Sequence, residues 1–300
     1  MELIDFLIGA VLALIMFGIG SSLKPADFRS VFNHPRALSL GLVLQMIFLP
    51  LLFFSIAWFS PFSPEIKVGL FIIALCPGGT TSNFISYIVG ADVALSIALT
   101  SINSFLILLT IPTLTNFSLN FFLGVEQSIQ LSAAETLAHV FLIVLLPAFL
   151  GLLFNQFYPK TSSKFQNPLK YINTLLLALV FGIKFFGDRT SGGSGISTAE
   201  ILHLLPLILL AHVIAIFVSY YTSRFIKLDN LKATTVSVEV GLQNTALALL
   251  VTNNILQNNE MTKPALVYAI FSFFTTLLFA YLFKRYGAKR VAVQTTERND

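Results

Sequence analysis

Nine apolar runs, each about as long as a bilayer is thick, alternate along this chain with polar gaps too short to hold a domain of their own. A spanning helix needs about 20 mostly apolar residues. The runs fall at about 3–22, 36–58, 66–89, 91–115, 131–155, 169–187, 199–225, 230–256 and 263–284. They predict an all-α polytopic membrane protein with nine transmembrane helices, a single membrane unit over residues 1–300. Only 11% of residues are charged, where a soluble domain carries about a quarter, so most of the chain has no water to face. The longest gaps, about 116–130, 156–168 and 188–198, read as loops, and the polar tail after Ala288 reads as disordered. The start, Met1-Glu2-Leu3-Ile4-Asp5, lacks the basic residues of a secretory signal and reads as a retained first helix.

Nine spans fix an alternation of sides that the charges test. One set of gaps, with the C-terminal tail, holds Lys24, Arg29, Arg36, Lys160, Lys164, Lys170, Arg224, Lys227, Lys232, Lys284, Arg285, Lys289, Arg290 and Arg298. The opposite set holds only Lys67, Lys184, Arg189 and Lys263. Positive charge stays in the cytoplasm. The expected topology is therefore N-terminus outside and C-terminus inside, in an inner or plasma membrane. The net charge of +4 is spread through these gaps and forms no nucleic-acid patch.

Two spans are interrupted. The third contains Cys76-Pro77-Gly78-Gly79-Thr80-Thr81-Ser82-Asn83. Proline removes a backbone donor and crowds the preceding turn, and two glycines relax the chain. The eighth contains Ser237-Val238-Glu239-Val240-Gly241-Leu242-Gln243-Asn244-Thr245. Irregular backbone at membrane depth survives only against protein or a water-filled cavity. An acid at the centre of a span costs about 2.5–3.5 kcal/mol to insert, and Glu239 has no Lys or Arg beside it in its own helix. Taken singly, the first break is open to a reading as a packing kink, and Glu239 to one as a protonated carboxyl hydrogen-bonded between helices. Taken together they say more. The two helices run in opposite directions, five helices apart, as an inverted-topology repeat with two discontinuous crossing helices requires. Half-helix N-termini suit an anion, and unwound carbonyls suit a small cation. Ser96 and Thr100, one turn apart, share a face, with Asn103 three residues on. Gln45 sits well inside the second span.

Other chemistries find no support. Cys76 is the only cysteine, and His34, His139, His203 and His212 show no metal-ligand spacing, so no transition-metal site is expected and interfacial or packing roles suit the histidines. No nucleophile elbow or P-loop appears, and the chain reads as no enzyme. No obligate protein partner is evident; lipid is the expected surroundings.

The segment Cys76–Asn83, with Ala94-Leu95-Ser96-Ile97-Ala98-Leu99-Thr100 and Glu239-Val240-Gly241-Leu242-Gln243-Asn244, resembles the bile acid:sodium symporter family. Met16-Phe17-Gly18-Ile19-Gly20 and Lys24-Pro25-Ala26-Asp27-Phe28 are similar too, so the resemblance runs from residue 10 to about 285. It implies the nine-helix form, without the first helix of many ten-helix bacterial members. A panel domain would comprise helices 3–22, 131–155 and 169–187. A core domain would comprise 36–58, 66–89, 91–115, 199–225, 230–256 and 263–284. The resemblance also implies two Na⁺ sites. The first is Ser82, Asn83, Ser96, Thr100 and Glu239; the second is Gln45, Glu239 and Gln243 with the carbonyls of Val240 and Leu242. Substrate would meet Thr80, Asn244, Thr275 and Thr276; at the last two, bacterial bile-acid-binding relatives can carry His-Asn.

The resulting expectation is a secondary active transporter, with sodium-coupled symport of an organic anion by alternating access. The anion would be a bile acid or a small carboxylate such as pantoate or a 2-oxo acid. Proton coupling through Glu239, or ligand sensing without transport, are the alternatives.

Overall fold

The computed structural model describes residues 35–124, 146–187 and 193–296, with residues 10, 13, 14, 17, 18, 20, 21 and 142 singly. All regular structure among them is helical. The expected first span, 3–22, and the start of the fifth, 131–145, lie largely outside the described residues, as does most of the 188–192 gap.

The helices are α1 Pro35–Phe59, α2 Pro64–Leu75, α3 Thr80–Ile88, α4 Val93–Leu123, α5 Leu146–Phe157, α6 Pro159–Phe186, α7 Thr198–Phe225, α8 Asn230–Gly241, α9 Thr245–Leu249 and α10 Asn259–Thr296. Among the described residues four segments are long and apolar enough to cross a membrane: Pro35–Phe59, Thr198–Phe225, Asn230–Ile255 and Asn259–Arg285. Counting the bent α4 as one span makes five.

Local chemistry sets the boundaries. Ser63 accepts from the Ile66 amide ahead of Pro64, and Asp92 accepts from Leu95 at 3.0 Å to start α4. Ser197 and Glu200 form a capping box on α7. Asp229 caps α8 through the Lys232 amide at 2.9 Å. Within α4, Val93–Ile107 and Thr110–Leu123 meet at 58°. Pro112 accounts for the bend, because its ring presses on the carbonyl four residues back. Pro50 acts likewise in α1: the preceding turn widens into a π stretch, Leu44–Phe48, with the Leu49 amide bonded to the Leu44 carbonyl.

Three expected boundaries differ. Helix α4 runs on through Leu123, α6 begins at Pro159 inside the expected 156–168 loop, and α10 continues to Thr296 through the tail expected to be disordered. Each extension is polar or mixed. Hydropathy finds the part of a helix that suits lipid and is blind to the helical turns beyond it.

The two interrupted helices lie innermost. Every residue from Val68 to Leu75 is buried. In the Asn230–Ile255 segment 89% of the apolar window is inside the protein, against 33–39% for the other three spans, which keep an outward apolar face. Helix α2 packs on α1, α4 and α10, and α8 packs on α7 and α10. Gly69 allows the α2–α10 contact, since a Cβ there would collide with the Met261 carbonyl. On another side, α5 packs on α6, Phe17 meets Phe154 at 5.9 Å, and Ser162 donates to the Ser21 carbonyl at 3.2 Å.

Candidate functional site

The two breaks meet. Helix α2 stops where Cys76 turns extended, and α3 starts after Gly79. Helix α8 stops where Leu242 turns extended, and Asn244 starts α9 by accepting from the Leu247 amide at 3.1 Å. The Asn244 backbone amide donates to the Pro77 carbonyl at 2.8 Å. One unwound turn thereby satisfies a backbone group of the other, as burial requires.

Against this junction lies Glu239, with no solvent exposure. Its carboxylate accepts from the Ser96 hydroxyl and, at 2.9 Å, from the Thr100 hydroxyl. Those hydroxyls also lie 2.8 and 3.3 Å from Asn83 Oδ1, so three acceptor oxygens share two protons. Ser82 donates to the Gly79 carbonyl at 2.7 Å. Its Oγ and Glu239 Oε2 both press on Gly78, where a Cβ would collide with the carboxylate oxygen. The five residues expected for the first site thus form one group, drawn from α3, α4 and α8. The ion pairs among the described residues, Lys232–Asp229 and Lys263 with Glu200 and Glu260, do not involve Glu239.

A second group adjoins it. Gln243 Nε2 donates to the Val240 carbonyl at 2.6 Å, Gln45 Nε2 to Gln243 Oε1 at 3.4 Å, and Asn103 Nδ2 to Gln45 Oε1. Gln45 sits in the π stretch of α1. Leu242 is at the break itself, its side chain packed with Ile85, Val89, Val238 and Ala280. Asn103 is absent from the expected set. Its spacing from Ser96 and Thr100 puts it on their face, but no spacing along α4 discloses a partner on α1.

The residues expected to meet substrate divide. Asn244 stands at the junction, and the Thr80 side chain lies outside the described residues. Thr275 Oγ1 is 2.7 Å and Thr276 Oγ1 3.5 Å from His212 Nε2. His212 is fully buried, and its Nδ1 is 3.1 Å from the Tyr268 hydroxyl, which donates to the Gly241 carbonyl. That carbonyl can only accept, so the Tyr268 proton points to it and His212 Nδ1 must carry a hydrogen toward Tyr268. Thr275 Oγ1 in turn donates to the Phe271 carbonyl of its own helix at 2.9 Å. His212, expected to have an interfacial or packing role, centres a polar chain from α10 to the end of α8.

Carboxylate, hydroxyl and amide oxygens are the donors of a hard cation. Among the described residues no three His, Cys, Asp or Glu side chains gather as a transition-metal cluster would need.

The family model described as Sodium Bile acid symporter family matches residues 10–191. The chain is 28% identical over 256 residues to Probable sodium/metabolite cotransporter BASS2, chloroplastic, of Oryza sativa subsp. japonica, covering 85% of this chain and 58% of that protein. It is 25% identical over 236 residues to the uncharacterized sodium-dependent transporter YocS of Bacillus subtilis (strain 168), covering 79% and 70%. It is 24% identical over 250 residues to the Sodium-dependent organic anion transporter of Homo sapiens, covering 83% and 64%. The chain therefore spans less than two thirds of the rice protein's length.

Proposed function

This chain belongs to the sodium bile acid symporter family, and on that premise we propose that it is a secondary transporter moving Na⁺ and an organic anion together across the membrane. The observation that carries the reading is Glu239: a buried acid without an ion-pair partner among the described residues, at the meeting of two broken helices, ringed by hydroxyl and amide oxygens. Isolated charge is expensive in a low-dielectric interior. A cation held there removes that cost. Serine and threonine oxygens complete a shell of hard ligands.

In this reading one Na⁺ binds at Ser82, Asn83, Ser96, Thr100 and Glu239. A second Na⁺ binds at Gln45, Glu239 and Gln243 with the carbonyls of Val240 and Leu242. Bound cations fix the two unwound turns, whose half-helix N-termini at Thr80 and Asn244 then face an anion. The nine-helix count, the inverted repeat, the core and panel domains and the N-outside, C-inside orientation belong to the same proposal. Access alternates as core moves against panel, with substrate in the crevice between them beside Thr80, Asn244, Thr275 and Thr276. The relatives' printed names, a sodium/metabolite cotransporter and a sodium-dependent organic anion transporter, support an anionic metabolite as cargo. Bile salts, pantoate and 2-oxo acids are the candidates.

The test is uptake of labelled taurocholate and pantoate into proteoliposomes with and without an inward Na⁺ gradient. The expected result is accumulation of one of them that requires the gradient and disappears in Glu239→Ala, with the variant still present in the membrane. Accumulation driven by a pH gradient in sodium-free buffer overturns Na⁺ coupling in favour of protons. Saturable binding without accumulation overturns transport in favour of sensing.

A further inference from the structure

The amide side chains beside Glu239 form a chain with one possible direction. The Val240 carbonyl can only accept, so the Gln243 amide must turn its Nε2 toward it, 2.6 Å away. That leaves Gln243 Oε1 facing Gln45, whose Nε2 must answer it at 3.4 Å. Gln45 Oε1 is thereby turned to Asn103, which must meet it with Nδ2. Flipping any one amide sets oxygen against oxygen or nitrogen against nitrogen, so a backbone carbonyl on α8 dictates the orientation of an asparagine on α4.

The chain ends on Asn103 Oδ1. Asn103 has no solvent exposure, and this oxygen has no hydrogen-bond donor among the described residues. A buried amide oxygen left this way is costly, and the direction of the chain prevents relief by a flip. Asn103 is three residues from Thr100, which donates to Glu239. Its amide therefore lies on the face of α4 that carries Thr100, one turn further along, where it bonds Gln45.

We propose that Asn103 is a further ligand of the Na⁺ bound by Gln45 and Gln243, giving the ion its Oδ1 while its Nδ2 holds Gln45 in register. The proposal rests on the Na⁺ reading of that group. It adds an oxygen from α4 to a site otherwise built from α1 and the second break, so that α4 contributes to both cation sites. An ion there would meet an amide oxygen whose lone pairs no donor has taken.

Thermal unfolding of the purified full chain, titrated with NaCl against KCl at constant ionic strength, reads Na⁺ binding without any substrate. The wild type should gain stability with Na⁺ and not with K⁺. Asn103→Ala should need at least tenfold more Na⁺ for half of that gain. Asn103→Asp keeps an oxygen and loses the Nδ2 donor, and should stay within about threefold of wild type. An unchanged half-point in Asn103→Ala overturns the proposal. Equal weakening in both variants also overturns it as a ligand, because only the bond to Gln45 would then matter. Should Asn103→Ala fail to fold, Asn103→Asp decides: a near-wild-type half-point supports the ligand role and a weakened one overturns it. Glu239→Ala separates the two levels. A lost Na⁺ response there with an unaltered Asn103→Ala overturns this proposal alone. A retained response overturns the Na⁺ reading on which it rests.

Discussion

At Gly78 a hydrogen atom stands where any side chain would strike Glu239 Oε2 and press on Ser82 Oγ. The glycine is required by the close approach of the carboxylate, whatever turn the backbone makes. Gly78→Ala should move the acid off its hydroxyl partners and raise the Na⁺ concentration for half-maximal uptake at least tenfold, equivalent to about 1.4 kcal/mol. Gly182→Ala, where a Cβ meets nothing within 4 Å, should leave that concentration unchanged. Much of this was legible in the sequence. A break with two glycines and an acid without a partner in its own helix are local facts that single out Ser82, Asn83 and Glu239, while the grouping with Ser96 and Thr100 came from the family resemblance. Asn103 and His212 were less legible because their meaning depends on partners 58 and 56–64 positions away in the chain. Periodicity reports which face a residue occupies and not what another helix presents to it.

Between elements, the contact of greatest consequence is the Tyr268 hydroxyl on the Gly241 carbonyl. It holds the last turn of α8 just before the chain unwinds, and His212 holds Tyr268 in turn. Tyr268→Phe keeps the ring packing on Phe53 and Phe271 and removes this bond together with the one to His212. Leaving a buried carbonyl without its donor costs about 1–3 kcal/mol. The variant should unfold at a lower temperature and also need more Na⁺ for half-maximal stabilisation, because the turn carrying Val240 and Leu242 loses its anchor. The two effects are read from one set of melting curves with and without Na⁺. At this scale the four spans among the described residues, five with the bent α4, were plain from hydropathy, and their ends were not. The extra turns of α6 from Pro159 and of α10 to Thr296 are helical without being apolar enough to show as membrane spans.

Across the whole molecule, the polar group at the two breaks joins parts of the chain far apart in order. Ser96 and Thr100 precede the acid they bind by 143 and 139 residues. A chain threaded into the bilayer from its N-terminus therefore installs the hydroxyls long before the charge arrives. Serine and threonine wait cheaply, since each can bond its own helix backbone. The acid could not wait in the same way, as its ionised form cannot donate to a backbone carbonyl. By that order Glu239 would enter a membrane where its escorts, Ser96 and Thr100, already stand. Removing the escorts should then harm production before it harms activity. Ser96→Ala combined with Thr100→Val should lower the amount of protein recovered from membranes several-fold. Adding Glu239→Ala to that pair should restore the amount while uptake stays absent, as quantitative blotting alongside the uptake assay would reveal. On this view the residues proposed to receive the ion would also chaperone the charge through assembly.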